Sequence, residues 1–399
     1  MSHAAPQDAA PGGLRGALLG LLTAFVCVHA SMAATRVTAM LLIIKQGQPQ
    51  WMVGGLLSLY AVAPILLSLW AGRLADRHGF HRPVAVGLGM AFTGACTALV
   101  SQHVAALALA SLLSGGAIAV AAVAIQREAG LLARSAGELK RVFSWVALGP
   151  AVSNSLSPVI SGLLIDHLGY GAGFAFAALL PLLAMAAATR IPRTPHLAGA
   201  QEVAHEPAWT LLRIPALRNL LIVNMALSSS WDAHTFAMPI IGHLRGLSAS
   251  SIGFVLGAFA VAATAVRLTI STWTEHFDEM LALRAAMAVT TAVLAVYAWL
   301  PGMAGLLCGS AVLGLALGAV QPMVLATLHQ ATPTARHGQA LGLRMLCTNG
   351  MTIFLPLCFG MLSAATSPAA PLWLMALLVV AAQWPAAQVR RQVPQPVSA

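Results

Sequence analysis

Twelve apolar stretches, each long enough to cross a bilayer, limit what this chain can fold into more than any other feature. They run approximately over residues 16–44, 51–71, 84–101, 104–125, 143–166, 171–189, 219–241, 250–270, 282–300, 302–328, 338–364 and 369–388. A helix rising 1.5 Å per residue needs about 20 apolar residues to span the hydrocarbon layer. Lipid offers no hydrogen bonds, so a spanning segment must satisfy its own backbone, and continuous apolar runs of this length do so as helices. A transmembrane barrel would instead need segments of about 10 residues with alternating polarity. Composition agrees: 59% of the 399 residues are hydrophobic and 8% charged, against roughly 25% charged in soluble domains. No soluble core of this size could bury so much apolar surface, so the expected fold class is an all-α polytopic membrane protein.

The formal net charge of +10 would suit a nucleic-acid partner if the charges shared one face. They lie in short loops instead. With the N-terminus placed inside, one set of loops holds Arg15, Arg73, Arg77, Arg82, Arg127, Arg134, Lys140, Arg141, Arg190, Arg193, Arg213, Arg218, Arg284, Arg336, Arg390 and Arg391. The opposite set holds only Lys45 and Arg245. Lysine and arginine accumulate on the cytoplasmic side of membrane proteins, so both termini are expected in the cytoplasm. The five cysteines, Cys27, Cys96, Cys308, Cys347 and Cys358, lie in apolar runs without a C-x-x-C pair and read as small buried hydrophobes.

The expected organisation is a disordered tail over 1–13, a six-helix bundle over 14–189, a cytoplasmic linker over 190–218, a second bundle over 219–388 and a tail over 389–399. The linker holds Pro192, Pro195, Pro207 and Pro215, with a short interfacial helix expected near Trp209 to Leu212. The halves echo one another. VGGLLSLYA from Val53 is followed 199 residues later by IGFVLGAFA from Ile252, and Pro158-x-x-x-Gly162 returns after 198 residues as Pro356-x-x-x-Gly360. Two parallel six-helix repeats are therefore expected.

Between spans two and three lies a polar island, GRLADRHGFHR, from Gly72 to Arg82. It resembles the loop between helices 2 and 3 of the major facilitator superfamily, with the pattern G-x-L-A-D-R-x-G-R-R. Gly72, Leu74, Ala75, Asp76, Arg77 and Gly79 match, Phe80 replaces a basic residue, and His81 and Arg82 keep the basic tail. The corresponding stretch of the second repeat, STWTEHFDEM from Ser271, keeps only its acid, with Glu275 opposite Asp76. The resemblance implies a secondary transporter in which Gly72 lets helix 2 approach helix 11. It also implies that Asp76 caps helix 11 beside Arg73 and Arg77, with Gly79 and Arg82 completing a conformational gate. Two other family motifs are weak. Helix 4 lacks its usual arginine in LASLLSGGA, and serines stand for glycines around Pro158 in the helix 5 pattern of the drug-antiporter branch.

Ionisable groups at membrane depth are costly, which makes them functional candidates. Arg36 lies in span 1, Asp232 and His234 in span 7, Arg267 in span 8 and Arg344 in span 11, while Arg127 and Glu128 stand at the end of span 4. Asp232 is either a carboxylate that loads and releases protons or half of a structural ion pair with an arginine such as Arg36. His234 titrates near neutrality when unperturbed and is a second candidate for proton coupling. Two residues apart, the pair points about 200° apart around the helix. Arg36 and Arg344, with His234 and Gln321, are the expected substrate-binding residues, because guanidinium forks suit carboxylates. The alternative for the arginines is pairing with Asp232 or with carbonyls at broken helices. Arg267, a turn from the end of its span, is expected to reach for the interface.

The expected activity is alternating-access transport of a small organic solute, leaning to an anion or carboxylate, with the proton gradient as driving force and no cofactor or metal. Its partners are then the small-molecule substrate and membrane lipid, with no nucleic acid, and the state a monomer in a bacterial inner membrane. The alternatives are a multidrug or metabolite efflux antiporter and, more remotely, a membrane receptor. No nucleophile elbow, metal-ligand cluster or phosphate loop speaks for an enzyme.

Overall fold

The computed structural model describes residues 11–132, 136–189, 191, 208–272, 279–333 and 336–392. Among them are twelve α-helices: α1 (Pro11–Lys45), α2 (Gln50–His78), α3 (His81–Val100), α4 (Val104–Leu132), α5 (Ala136–Leu168), α6 (Tyr170–Ala188), α7 (Pro215–Leu244), α8 (Ala249–Thr272), α9 (Glu279–Val296), α10 (Gly302–Ala331), α11 (His337–Ala365) and α12 (Ala370–Gln392). Ten are long and apolar enough to cross a membrane. The other two, α5 and α7, match them in length at 33 and 30 residues, but the sequence puts Glu138, Lys140 and Arg141 at the start of α5 and a run of polar residues through α7. The linker contributes a 3₁₀ turn, Ala208–Arg213, before Pro215 opens α7 at its first turn. Residues 1–10, and with them most of the expected tail, lie outside the described residues, as do most of the linker and the STWTEHFDEM segment around Glu275.

The polar island is helical except for two residues. Helix α2 continues through Gly72, Arg73, Asp76 and Arg77 to His78, and α3 resumes at His81. Only Gly79 leaves the right-handed region, with φ of 68°, and its N–H reaches Ala75 O at 2.9 Å, the left-handed closure that glycine provides. Phe80 is buried in an apolar core with Val84, Leu88, Ile125 and Phe25, which accounts for a phenylalanine where a basic residue was expected.

The helices form two compact units that cut across the two bundles expected from the sequence. One takes in the described parts of Met1–Thr35, Val62–Asn154 and Phe174–Gly199; the other takes in those of Arg36–Ala61, Ser155–Gly173 and Ala200–Ala399. In the first, α3 packs closely on α4: a Cβ added at Gly87 would stand 2.9 Å from Ala117 O. Ser31 Oγ donates to Ala177 O at 2.8 Å, and Glu128 is buried with polar interactions of its own.

The second unit displays the repeat at atomic level. Gly47 and Gly246, 199 residues apart, end α1 and α7 with φ of 68° and 72°. Each is followed by a bond back across the helix end, Gln48 N to Ile43 O and Leu247 N to Gly242 O, the Schellman arrangement. The echoed Gly and Pro segments then meet one another reciprocally. A Cβ on Gly54 of α2 would stand 2.0 Å from Pro356 O of α11, and one on Gly253 of α8 would stand 2.3 Å from Pro158 O of α5. Farther out, Gly360 faces the Trp51 backbone and Gly162 faces that of Ser250.

The two closures differ in chemistry. Asp166 accepts from Ala249 N at 3.0 Å and Ser250 N at 2.8 Å, capping α8 with a carboxylate, where negative charge is favoured. The other closure is neutral, with Ser363 Oγ donating to Gln50 Oε1.

Gly54→Ala and Gly253→Ala are each expected to destabilise the protein by about 1–3 kcal/mol through overpacking. Gly55→Ala, whose Cβ meets nothing within 4 Å, is expected to be neutral or slightly stabilising. Thermal unfolding in detergent compares the three.

Candidate functional site

The candidate residues that the structure brings together belong to the second unit. Polar residues four apart on a helix share one face, and α11 carries Arg344, Thr348 and Thr352 in that spacing. The opposing face of α7 carries Asn224 and, two turns on, Asp232. Asn224 Nδ2 donates to Thr348 Oγ1 at 3.0 Å, and Thr348 Oγ1 donates to Arg344 O at 2.9 Å. Thr352 Oγ1 lies 3.3 Å from Asp232 Oδ2 and 3.1 Å from Thr348 O. Its single proton serves one of these acceptors at a time, so the carboxylate competes with a backbone carbonyl for its hydroxyl partner. Arg36 of α1 is near enough for its charge to act on Asp232, without a direct ion pair among the described residues.

Asp232 and His234 diverge, as two residues on one helix must. His234 is fully buried. Its Nε2 lies 2.9 Å from Ser310 Oγ and 3.2 Å from Tyr297 Oη, and those two hydroxyls are 2.6 Å apart. Its ring stacks on Phe259 at 4.5 Å. The imidazole therefore ties α7 to α8, α10 and the 3₁₀ turn Tyr297–Trp299, in a position with no solvent access. Gln321 is exposed on α10, and Arg344 is half-buried with its Nε shut from solvent and unpaired.

Arg267 does not reach for the interface. Its Nε donates to Gly318 O at 3.1 Å near the middle of α10, and its guanidinium lies 5.7 Å from the Trp231 ring centroid. The cause is local. Gly318 O would normally accept from the N–H four residues on, but that residue is Pro322, which has none. The freed carbonyl needs a donor, and Arg267 supplies it.

Of the gate residues suggested by resemblance, Arg73, Arg77 and Arg82 are exposed, and Gly79 makes the turn already described. A Cβ on Gly72 would meet nothing within 4 Å; the close approach of α2 to α11 lies at the other end of α2, at Gly54. The side chain of Asp76 lies outside the described residues.

Twelve long helices in two echoing sets, with ionisable side chains within the spans, define a multi-pass membrane protein of secondary-transporter architecture. The chain belongs to the Major Facilitator Superfamily, whose sequence profile matches residues 19–356 and, in a second match, 220–398. No curated protein matches it in sequence. Among solved structures it is similar to a bacterial homologue of the human lysosomal transporter Spinster, in an inward-facing and unoccupied conformation, with TM-score 0.74 and 13% identity over 98% of this chain and 100% of that one. A peptide transporter of the POT type in complex with sulfate gives TM-score 0.74 and 15% identity over 98% of each chain. The nucleoside transporter NupG gives 0.71 and 15% over 94% of this chain and 99% of its own. At these identities the likeness shows the fold. Family and fold point to a transporter and not to an enzyme.

His234→Leu removes a partner from two buried hydroxyls and is expected to lower stability by about 1–3 kcal/mol. Thermal unfolding in detergent measures the loss. Asn224→Leu is expected to cost less, about 1 kcal/mol, because Thr348 keeps its bond to Arg344 O.

Proposed function

We propose that the protein carries a small organic anion across a bacterial inner membrane by alternating access, coupled to protons through Asp232. The observation that supports this reading is the charge balance at depth. Arg36, Arg267 and Arg344 face a single acid well inside the spans, Asp232. Uncompensated cations in a low-dielectric setting are expensive, and an anionic solute would relieve that cost.

In this reading Asp232 has two states. Ionised, it accepts from Thr352 and offsets Arg36. Protonated, it no longer competes for Arg36, and the net positive charge of the site rises by one. Proton loading and anion affinity thus rise together, the linkage a symporter uses. Efflux of lipophilic cations is less well supported, because such a cargo would meet an excess of arginines. The remaining proposals follow from sequence: both termini cytoplasmic by the loop-charge bias, Arg73, Asp76, Arg77 and Arg82 in a cytoplasmic gate, lipid as the surrounding partner, and a monomer without cofactor or nucleic acid.

Counterflow of a radiolabelled carboxylate in proteoliposomes tests the reading; exchange is expected in the wild type. Asp232→Asn is expected to retain counterflow but lose accumulation driven by an imposed pH gradient. Full pH-driven accumulation in that variant would remove Asp232 from coupling.

A further inference from the structure

The sequence singles out Arg36 and Arg344 as anion ligands, and the structure adds a third guanidinium. We infer that Arg267, set on Trp231 and pinned by Gly318, is the guanidinium that grips the carboxylate of the solute. The inference rests on the anion-carrier reading and concerns which residue makes the contact. Arg36 already has a counter-charge in Asp232. Arg267 has no acid paired with it among the described residues: its partners there are the Gly318 carbonyl and the Trp231 ring. A carbonyl dipole and a ring quadrupole orient and partly offset a guanidinium, but neither neutralises it. The side chain is part-exposed.

The geometry also holds the fork still. Pro322 leaves the Gly318 carbonyl without its helical donor, and that carbonyl takes Nε. The absent Cβ of Gly318 lets α8 come close, since a Cβ there would stand 2.5 Å from Ala263 O. Trp231, itself edge-on to Phe259 at 4.4 Å, covers the guanidinium. With Nε occupied, the two Nη groups remain for a planar carboxylate, which they match with two parallel hydrogen bonds. A fork fixed before binding loses less entropy when the ligand arrives. Lysine has no planar fork and cannot reproduce this geometry.

The test uses the full chain purified in detergent with acetate, succinate and benzoate as probes, read by thermal shift and by tryptophan fluorescence. At least one probe is expected to raise the melting temperature of the wild type and change its fluorescence. Arg267→Gln is expected to lower the affinity at least tenfold, and Arg267→Lys to recover only part of it. Trp231→Phe is expected to remove most of the fluorescence change. Pro322→Ala returns an N–H to compete for the Gly318 carbonyl. It is expected to weaken binding severalfold although it touches no ligand group, and it carries the test should Arg267→Gln fail to fold. Arg36→Gln is expected to alter the pH dependence of binding more than its strength.

Undiminished affinity in both Arg267→Lys and Pro322→Ala, with loss in Arg36→Gln, would overturn the inference and leave the anion-carrier reading standing. No response of the wild type to any of the three carboxylates would overturn both. Stabilisation by added phosphatidylglycerol alone, lost in Arg267→Gln, would make Arg267 a lipid contact and also overturn the inference.

Discussion

In lipid, every backbone carbonyl needs a donor from the protein itself, and this requirement connects the prolines of the chain to its site. Pro322 lies inside α10 and removes one N–H from the ladder. In water a solvent molecule would take up the freed carbonyl. At the middle of a membrane helix the replacement must come from within the protein or from an ordered water, and here it is an arginine from the neighbouring helix. One residue with no charge and no hydrogen-bonding side chain thereby sets the position of a cation that would otherwise extend towards the interface. Pro356 and Pro158 have another use. Their own carbonyls stand where a Cβ of Gly54 or Gly253 would collide, so proline on one helix and glycine on the other bring backbones into contact where spans converge.

That convergence is the repeat expressed in three dimensions. The first repeat gives its second helix to the fifth helix of the second, and receives the reverse contact in return. The two ends of this exchange have drifted apart chemically, with a carboxylate cap from Asp166 at one and a neutral contact between Ser363 and Gln50 at the other. Equal backbone geometry with unequal polar closure means the two contacts need not open with the same ease, although α2 and α8 occupy equivalent places in their repeats.

The fold was readable because it rests on features one-dimensional in nature. Run length gives spans, and offsets of 198 and 199 give the repeat. The two-residue turn at Gly79-Phe80 was less readable, because a charge-dense stretch between two spans looks like a loop, whereas Arg, Leu, Ala and Asp are compatible with continued helix. The site was readable in part. Asp232 and Arg36 stand out as rare charges, and an ion pair between them is one of the two readings the sequence leaves open. Thr348, Thr352 and Asn224 do not stand out, since they carry no charge; the available signal was the four-residue spacing of Arg344, Thr348 and Thr352. The surroundings of His234 were unreadable for a different reason. A histidine in a span reads as functional, but Ser310 and Tyr297, which partner its Nε2, lie on segments whose approach no local pattern encodes.

Arg267 shows why position along a span is a poor guide to depth. Counted along α8 it belongs near the end, where a long side chain ordinarily turns towards water. The direction is decided instead by what lies within reach: a carbonyl without a donor on one side and an indole face on the other. An unmet acceptor in a low-dielectric interior outweighs the pull of a distant interface, because both the carbonyl and the guanidinium would otherwise carry a desolvation cost. The same comparison applies to Arg36, which has a carboxylate within electrostatic reach. Charge count alone would treat the arginines of the site as equivalent. Their partners differ: Arg36 has a carboxylate within electrostatic reach, whereas Arg267 is held by a carbonyl and an indole face with hydrogen-bonding capacity left over.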